Sequence, residues 1–383
     1  MTATRPTLGQ SNLLRARGAL TSVAGSLAAI AVALLIGALI IVLSGEDAIL
    51  AYRALFEGAF VGRRPITETL VATTPLIFGG LAFAIAARAG LFNIGIEGQF
   101  FLGSLAAGLI GAIDLGLPVA IHLPLAIAGG MVCGGIWGWL PGALKAKTGA
   151  SEVITTIMLN YVAFQIGNWA LRQDDFLAIN PDFQATDPVE PTARLAILIE
   201  RTRLHAGIVI ALVAAVVLWY LLFRTTFGYR IRTVGLSRGA ALYAGISWGG
   251  TIMVAMLASG VLAGLGGASE TLGLQGRHYS QPAGYGFTAI AVGLVGRNHP
   301  IGVVLAAFLF GALNAGATQM QARAGTSREI VMIVQGLVIL SVAAFAALGQ
   351  LQLRGRFGRA DDDRASGVGT EPEIETRPGP PAV

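Results

Sequence analysis

Long stretches that lack Asp, Glu, Lys and Arg constrain this chain more than any other feature of its sequence. A helix needs about 20 apolar residues to cross the hydrocarbon layer of a bilayer. Only 12% of the chain is charged, 54% is hydrophobic, and ten apolar stretches stand out. They are Ala19–Leu43, Thr69–Ala87, Gln99–Ile113, Leu115–Leu144, Val153–Leu171, Ala206–Phe223, Gly249–Ala268, Gly286–Val295, Pro300–Gln321 and Ile330–Leu348. We therefore expect an all-α integral membrane protein, a bundle of about ten transmembrane helices.

Two of these stretches, Gln99–Ile113 and Gly286–Val295, are short for a full crossing. Irregular backbone at membrane depth is tolerated only where protein or a water-filled cavity shelters it. Either stretch is therefore predicted to be a broken or re-entrant helix.

The distribution of basic residues predicts the orientation. With the N-terminus in the cytoplasm, sixteen of the 26 basic residues face inward, and cytoplasmic segments normally carry this Lys/Arg excess. Both termini are then cytoplasmic. Residues 1–18 form a cytoplasmic tail, residues 19–348 the membrane domain and residues 349–383 a polar, disordered cytoplasmic tail.

Two loops and one surface helix complete this plan. Residues 172–205 form an outer loop, and residues 224–247 form a cytoplasmic loop. The apolar residues of Glu46–Phe60 recur at helical spacing, which fits either an amphipathic helix on the outer surface or an ordinary connecting helix.

Glycine recurs at every fourth position of the fourth span and twice in the seventh. Such spacing places the glycines on one helix face, where a neighbouring helix can approach closely. The pattern predicts internal packing, with a sliding or dimer surface as the alternative. The helix-packing candidates are Gly130, Gly134, Gly138 and Gly142 in the fourth span, and Gly260 and Gly264 repeat the pattern in the seventh.

Three carboxylates lie in or beside apolar stretches, where ionisable groups are costly. Glu97 either borders a cavity or sits in a helical first turn that Asn93 caps. We interpret Glu152 as a first-turn carboxylate that complements a helix dipole. We interpret Glu270 as solvated or ion-paired in a loop, with a contact to an external partner as the alternative.

The sequence contains no catalytic constellation. Its only lysines, Lys145 and Lys147, lack the glycine-rich surroundings of a nucleotide-binding P-loop. Cys133 is the single cysteine, and the four histidines are widely separated, so we predict no metal site and no cofactor in this chain. An enzyme is therefore disfavoured, and ATP cannot be hydrolysed by this chain alone.

The loop 224–247 places four arginines before a short run of small residues, Ala240–Ile246. Topogenic charge explains the arginines but not the helix predicted after them. We favour a surface that docks a cytoplasmic partner.

Three stretches resemble the permease subunits of bacterial ATP-binding-cassette importers, in the branch that imports nucleosides and simple sugars. They are Gly90–Gln99 (GLFNIGIEGQ), Ser151–Tyr161 (SEVITTIMLNY) and Gly284–Pro300 (GYGFTAIAVGLVGRNHP). The second is similar to the larger permease of guanosine-type nucleoside systems. The resemblance implies a second homologous permease subunit, a cytoplasmic ATPase that binds ATP and magnesium, and an extracytoplasmic solute-binding protein.

The resemblance also implies roles for individual residues. The segment Gly235–Ile246 matches the coupling helix that contacts the ATPase, although relatives often have Asn where this chain has Ser237. The candidate coupling residues are Arg232, Gly235, Ser237, Ala240, Ala241, Tyr243 and Gly245. The candidate translocation-pathway residues, beside the two irregular segments, are Asn93, Glu97, Gln99, Tyr285, Phe287 and Thr288.

We therefore expect an importer permease for purine-type nucleosides, with no nucleic-acid partner. A simple-sugar importer is the alternative, and an ion-coupled secondary transporter is disfavoured because carboxylates at the bilayer midplane are few. The sequence leaves the cargo, the permease pairing and the resting conformation open.

Overall fold

The computed structural model describes residues 31–173, 179–180, 184–325 and, with gaps, 327–341. Both predicted tails and parts of the first span, the last span and the outer loop lie outside these residues. Residues Leu34–Ile339 belong to one compact unit, and the contacts below lie within it.

The described part is all-helical apart from one small hairpin. Its helices are α1 (Ala31–Leu43), α2 (Ala48–Phe60), α3 (Arg63–Arg88), α4 (Ile96–Ala112), α5 (Val119–Thr148), α6 (Glu152–Ala170), α7 (Gly207–Arg224), α8 (Thr226–Leu236), α9 (Arg238–Tyr243), α10 (Trp248–Ser269), α11 (Tyr285–Val295) and α12 (Pro300–Ala324). A π-helical segment, Glu270–Gln275, extends α10. Two-residue antiparallel strands, β1 (Ile179–Asn180) and β2 (Ala185–Thr186), lie between α6 and α7.

The predicted bundle of apolar helices is confirmed. Among the described residues, five helices are long and apolar enough to cross a membrane: α3, α5, α7, α10 with its π-helical extension, and α12. The two stretches predicted to be short are the short helices α4 and α11. The apolar segment Glu46–Phe60 forms α2, whose first turn is capped by the Asp47 side chain.

Helices α5 and α10 approach each other along their glycines. A Cβ atom added to Gly138 would lie 2.6 Å from the carbonyl oxygen of Met256 and 2.8 Å from the Cα of Gly260. Gly130, Gly134 and Gly142 face α10 in the same way. The absence of side chains thus lets two backbones pack in direct contact, which is how helices associate closely in membranes.

Lys145, Arg88 and Arg232 lie at one end of the bundle, which we call the basic end. Arg88 closes α3 and donates to the carbonyl oxygen of Asn298 at 2.9 Å. Its guanidinium also lies 5.5 Å from the ring centroid of Phe223. Helices α4 and α10 run from the basic end in the same direction, whereas α3 and α5 return towards it.

Candidate functional site

A cavity of about 910 Å³ lies between α3, α11, α12 and the two residues Met332 and Gly336. The cavity is lined by apolar groups, by neutral hydroxyl and amide groups, and by a few charged side chains. The neutral polar and aromatic lining residues are Tyr285, Phe287, Thr288, Phe310, Asn314, Thr318 and Gln319. The charged lining residues are Arg64, Glu68 and Arg203.

Helix α11 supplies one wall of this cavity through its first turn. The chain reaches it through Gly284, whose φ of +77° is a left-handed conformation that favours glycine. Phe287 is 51% exposed, while Ala289 is fully buried against α3 near Gly79. The helix therefore turns one face towards the cavity and packs the other on α3.

Glu97 binds the N-terminus of α11. Its Oε1 accepts a hydrogen bond from the backbone N–H of Gly284 at 2.7 Å, and its Oε2 accepts one from Gly286 at 2.5 Å. The residue is 1% exposed. A carboxylate at a helix N-terminus is stabilised by unpaired N–H groups and by the helix dipole. Glu97 does lie in the first turn of α4, as one of the two sequence interpretations predicted, although Asn93 is not the cap of that helix. Its carboxylate contacts the N-terminus of a different helix, which the sequence did not predict.

Asn93 and Gln99 lie in a buried hydrogen-bond network. Asn93 Nδ2 donates to Gln99 Oε1 at 3.1 Å and to Ser259 Oγ at 2.9 Å, and Asn93 Oδ1 accepts from the backbone of Gly95 at 2.9 Å. Ser259 in turn donates to the carbonyl oxygen of Ala82 at 2.6 Å. These bonds hold the irregular segment before α4 against α3 and α10.

The six predicted pathway residues thus fall into two groups. Tyr285, Phe287 and Thr288 line the cavity. Asn93, Glu97 and Gln99 are buried behind it, so the structure places them in the support of the wall rather than on its surface.

Glu270 lies on the other side of the same first turn. The sequence predicted a solvated or ion-paired residue in a loop, which is wrong because the π-helical segment continues α10 and leaves Glu270 only 4% exposed. Its Oε1 accepts from Gln275 Nε2 at 3.0 Å and from the Tyr285 hydroxyl at 3.4 Å. Two buried carboxylates therefore contact the start of α11.

An ion pair between α3 and the loop before α7 lies beside the cavity. Arg203 donates to both carboxylate oxygens of Glu68, which raises the pKa of the Arg203 guanidinium. Both side chains line the cavity. The negative charge of Glu68 therefore offsets the positive charge of Arg203, one of the two arginines that line the cavity.

Two imidazoles are buried near the end of α10. Burial lowers the pKa of His205 to about 4 and that of His278 to about 3. His205 Nδ1 accepts the backbone N–H of Gly207, and His278 Nδ1 lies 2.7 Å from Ser104 Oγ. No group of three potential metal ligands occurs among the described residues.

The basic end presents the short helix α9. The Ser237 side chain caps it by accepting the backbone N–H of Ala240 at 3.3 Å, and Gly245 ends the turn with a φ of +68°. Tyr243 is 99% exposed and Leu236 is 88% exposed, whereas Ala241 is fully buried. The residues predicted to share one docking surface therefore divide into exposed and buried positions.

Two further candidate coupling residues, Arg232 and Gly235, lie on α8, the helix that precedes α9. The Arg232 guanidinium lies 5.2 Å from the ring centroid of Phe223. Gly235 is exposed, yet a Cβ atom there would lie 2.9 Å from the backbone nitrogen of Gly90, which joins α8 to the end of α3. Both residues position the helix that leads into α9.

Glu152 pairs with Lys145 at the basic end. The Lys145 Nζ lies 2.5 Å from Glu152 Oε2, and both side chains are largely buried. The predicted first-turn position of Glu152 is confirmed by α6, and the ion pair adds a partner from α5.

A polytopic helical bundle with a polar-lined cavity and an exposed helix at its basic end has the architecture of a membrane permease. The family model for the permease component of branched-chain amino acid transport systems matches residues 66–343. The chain belongs to this permease family and is a multi-pass membrane protein.

Curated relatives resemble nearly the whole chain. The guanosine ABC transporter permease protein NupP of Bacillus subtilis is 41% identical over 86% of this chain and 96% of its own. The nucleoside ABC transporter permease protein NupB of Lactococcus lactis is 37% identical over 83% of this chain and 89% of its own. The glucose ABC transporter permease protein TsgB13 of Haloferax volcanii is 34% identical over 87% of this chain and 89% of its own.

Proposed function

We propose that this permease carries nucleosides of the purine type through the membrane as one subunit of an ABC importer. Two relatives with guanosine or nucleoside in their names support this cargo. The glucose permease relative supports a simple sugar as the second candidate.

The observation that carries the proposal is the cavity at α11. Its aromatic, hydroxyl and amide groups suit a solute that combines an aromatic base with a polyhydroxyl ring. The N-terminus of α11, a natural site for anions, is already occupied by Glu97. This carboxylate therefore disfavours binding of a nucleotide phosphate at this turn.

Uptake by intact cells tests the cargo. Cells that carry the whole importer should accumulate radiolabelled guanosine, and removal of this chain alone should abolish the accumulation. A tenfold excess of unlabelled nucleoside should compete, whereas glucose and pentoses at the same excess should not. Competition by sugars alone would assign the cargo to the second candidate.

The exposed surface of α9 supports a cytoplasmic partner. Adjacent exposed apolar residues such as Leu242 and Tyr243 are costly in water and mark an interaction site. We assign this surface to the ATPase subunit, which would bind ATP and magnesium. This assignment makes the basic end cytoplasmic. The Lys/Arg distribution of the sequence supports the same side for both termini.

A pair of tyrosine variants tests the ATPase contact. Tyr243→Ala should weaken retention of the ATPase on the purified permease by about tenfold or more, as loss of a central aromatic contact does. Tyr220→Ala removes another exposed tyrosine, on α7, and should leave retention unchanged. Equal retention in both variants would contradict the assignment. Ala241→Asp is unsuitable because Ala241 is buried and the variant would disturb folding.

Two further partners belong to the proposal. A second, homologous permease would pair with this chain, whose domain extends over residues 19–348, and an extracytoplasmic binding protein would deliver the solute. The exposed apolar residues of α5 and α6, among them Ile136, Ile154 and Trp169, leave a face for that permease or for lipid. Purification through an affinity tag on this chain should recover both the second permease and the ATPase with it. Recovery of neither protein would contradict the assembly.

A further inference from the structure

Two buried carboxylates converge on the first turn of α11, which lines the cavity. Glu97 comes from α4 and accepts both the Gly284 and the Gly286 N–H groups. Glu270 comes from the π-helical segment after α10 and accepts the Tyr285 hydroxyl. Because buried carboxylates are costly in a membrane bundle, a pair on one helical turn needs a physical reason.

The short length of α11 supplies that reason. It has only 11 residues, and its first turn follows an irregular segment instead of a long helix. The first N–H groups of any helix lack intrahelical partners, and here they face protein and cavity rather than bulk water. Without an acceptor from another helix, this turn would leave donors unsatisfied or unwind.

Glu97 meets this need better than a neutral acceptor would. Each carboxylate oxygen takes one N–H group, and hydrogen bonds to an ionised acceptor are shorter and stronger than neutral ones. The side chain is also in close contact with the turn, since a Cβ atom on Gly286 would lie 2.7 Å from Glu97 Oε2. The position of this turn is thus set by Glu97.

We propose that Glu97 is a positioning residue for transport: it fixes the first turn of α11 and thereby places Phe287 and Thr288 on the cavity wall. The inference deepens the proposed function, because it rests on solute passing through this cavity. Glu97 does not touch the solute in this scheme. Its effect reaches the solute through the backbone of α11.

Backbone hydrogen exchange tests the positioning step by itself. In the purified importer, Glu97→Gln keeps the side-chain size but leaves one acceptor and places an NH₂ group against a backbone donor. The amides of residues 284–288 should exchange about tenfold to a hundredfold faster, as expected for the loss of a charged hydrogen bond. Glu152→Gln, which removes the first-turn carboxylate of α6, should leave these amides unchanged.

Transport kinetics test the functional step. Glu97→Gln should lower the maximal rate of guanosine uptake by about tenfold or more, with little change in KM, because capture occurs on the binding protein. Glu97→Asp retains the charge, but its side chain is one methylene shorter. Its maximal rate of uptake should lie between those of the parent protein and Glu97→Gln. A defect in folding alone would instead reduce the amount of assembled importer, and that amount is measured in the same cells.

Thiol labelling separates this inference from the proposed function. Cys133→Ser removes the only cysteine, so Thr288→Cys becomes the single target for a water-soluble maleimide. If guanosine fails to protect that thiol in the presence of Glu97, the cavity does not carry the solute and the proposed function fails. If guanosine protects it but Glu97→Gln changes neither exchange nor the maximal rate, the positioning role is refuted.

Discussion

The contact between α5 and α10 gives a stability prediction that the structure makes quantitative. In Gly138→Ala the new methyl group would lie 2.6 Å from the carbonyl oxygen of Met256 and 2.8 Å from the Cα of Gly260. To reach an ordinary contact the helices must separate by roughly 0.6–0.8 Å. Since the opposing atoms belong to the backbone, they cannot rotate away.

The magnitude follows from two opposing effects. Overpacking of this kind costs about 2–3 kcal/mol in the upper part of its usual range. Alanine regains about 1 kcal/mol of helix propensity relative to glycine. We therefore expect a net loss of about 1–2 kcal/mol, which lowers the melting temperature by about 1–3 °C for a chain of this size.

Cys133 provides the assay for this prediction. It is the only cysteine and is partly buried on α5, so a thiol-reactive fluorescent dye reports its exposure as the purified protein unfolds in detergent. Gly249→Ala is the matched control, because its methyl group would meet Ala146 at an ordinary 3.4 Å. A melting temperature for Gly138→Ala equal to or above that of the parent would refute the close-packing argument.

Three further predictions use the same melting assay. Lys145→Met leaves Glu152 without its partner and should cost about 1–3 kcal/mol, whereas Lys147→Met should change little. Ser259→Ala removes a buried acceptor from Asn93 and should also cost about 1–3 kcal/mol. Ser151→Ala is the control, because the Ser151 side chain is exposed and makes no capping hydrogen bond. Burial lowers the pKa of His205 to about 4, so below pH 6.5 the unfolded chain binds a proton that the folded chain does not. Stability should therefore fall between about pH 6.5 and 4, and fall less steeply in His205→Asn; equal slopes would contradict this.

The sequence could predict the helices because their apolar runs are long and nearly free of charge. It could also predict which helices are short, since polar or glycine-rich residues interrupt the runs before α4 and α11. The glycine face of α5 could also be predicted, because glycines at every fourth position lie on one side of a helix. The sequence did not show that α10 is the helix that packs on this face.

The sequence could not assign partners that are distant along the chain. Glu97 and Gly284 are 187 positions apart, and Asn93 and Ser259 are 166 positions apart. Each of these residues is compatible with several local roles, such as a cap or a first-turn carboxylate. Only the packing of α4 against α10 and α11 selects the actual partner.

Burial on a short helix was equally inaccessible. Ala240 and Ala241 are identical neighbours in the sequence, yet Ala240 is exposed and Ala241 is fully buried. A six-residue helix is too short for a hydrophobic period to show which face is covered. Tyr243 is therefore a better residue for testing the docking surface than the buried Ala241, because the structure shows that Tyr243 is exposed.

The buried carboxylates explain why this bundle can contain a broken helix at all. An unpaired backbone N–H group in an apolar interior costs several kcal/mol, so a helix that starts there requires acceptors from its neighbours. Glu97 and Glu270 lie on helices that pack together through Gly103 and Gly264, and both contact the start of α11. Replacing either carboxylate alone should therefore loosen α11 locally, whereas widening the glycine contact should displace both acceptors together.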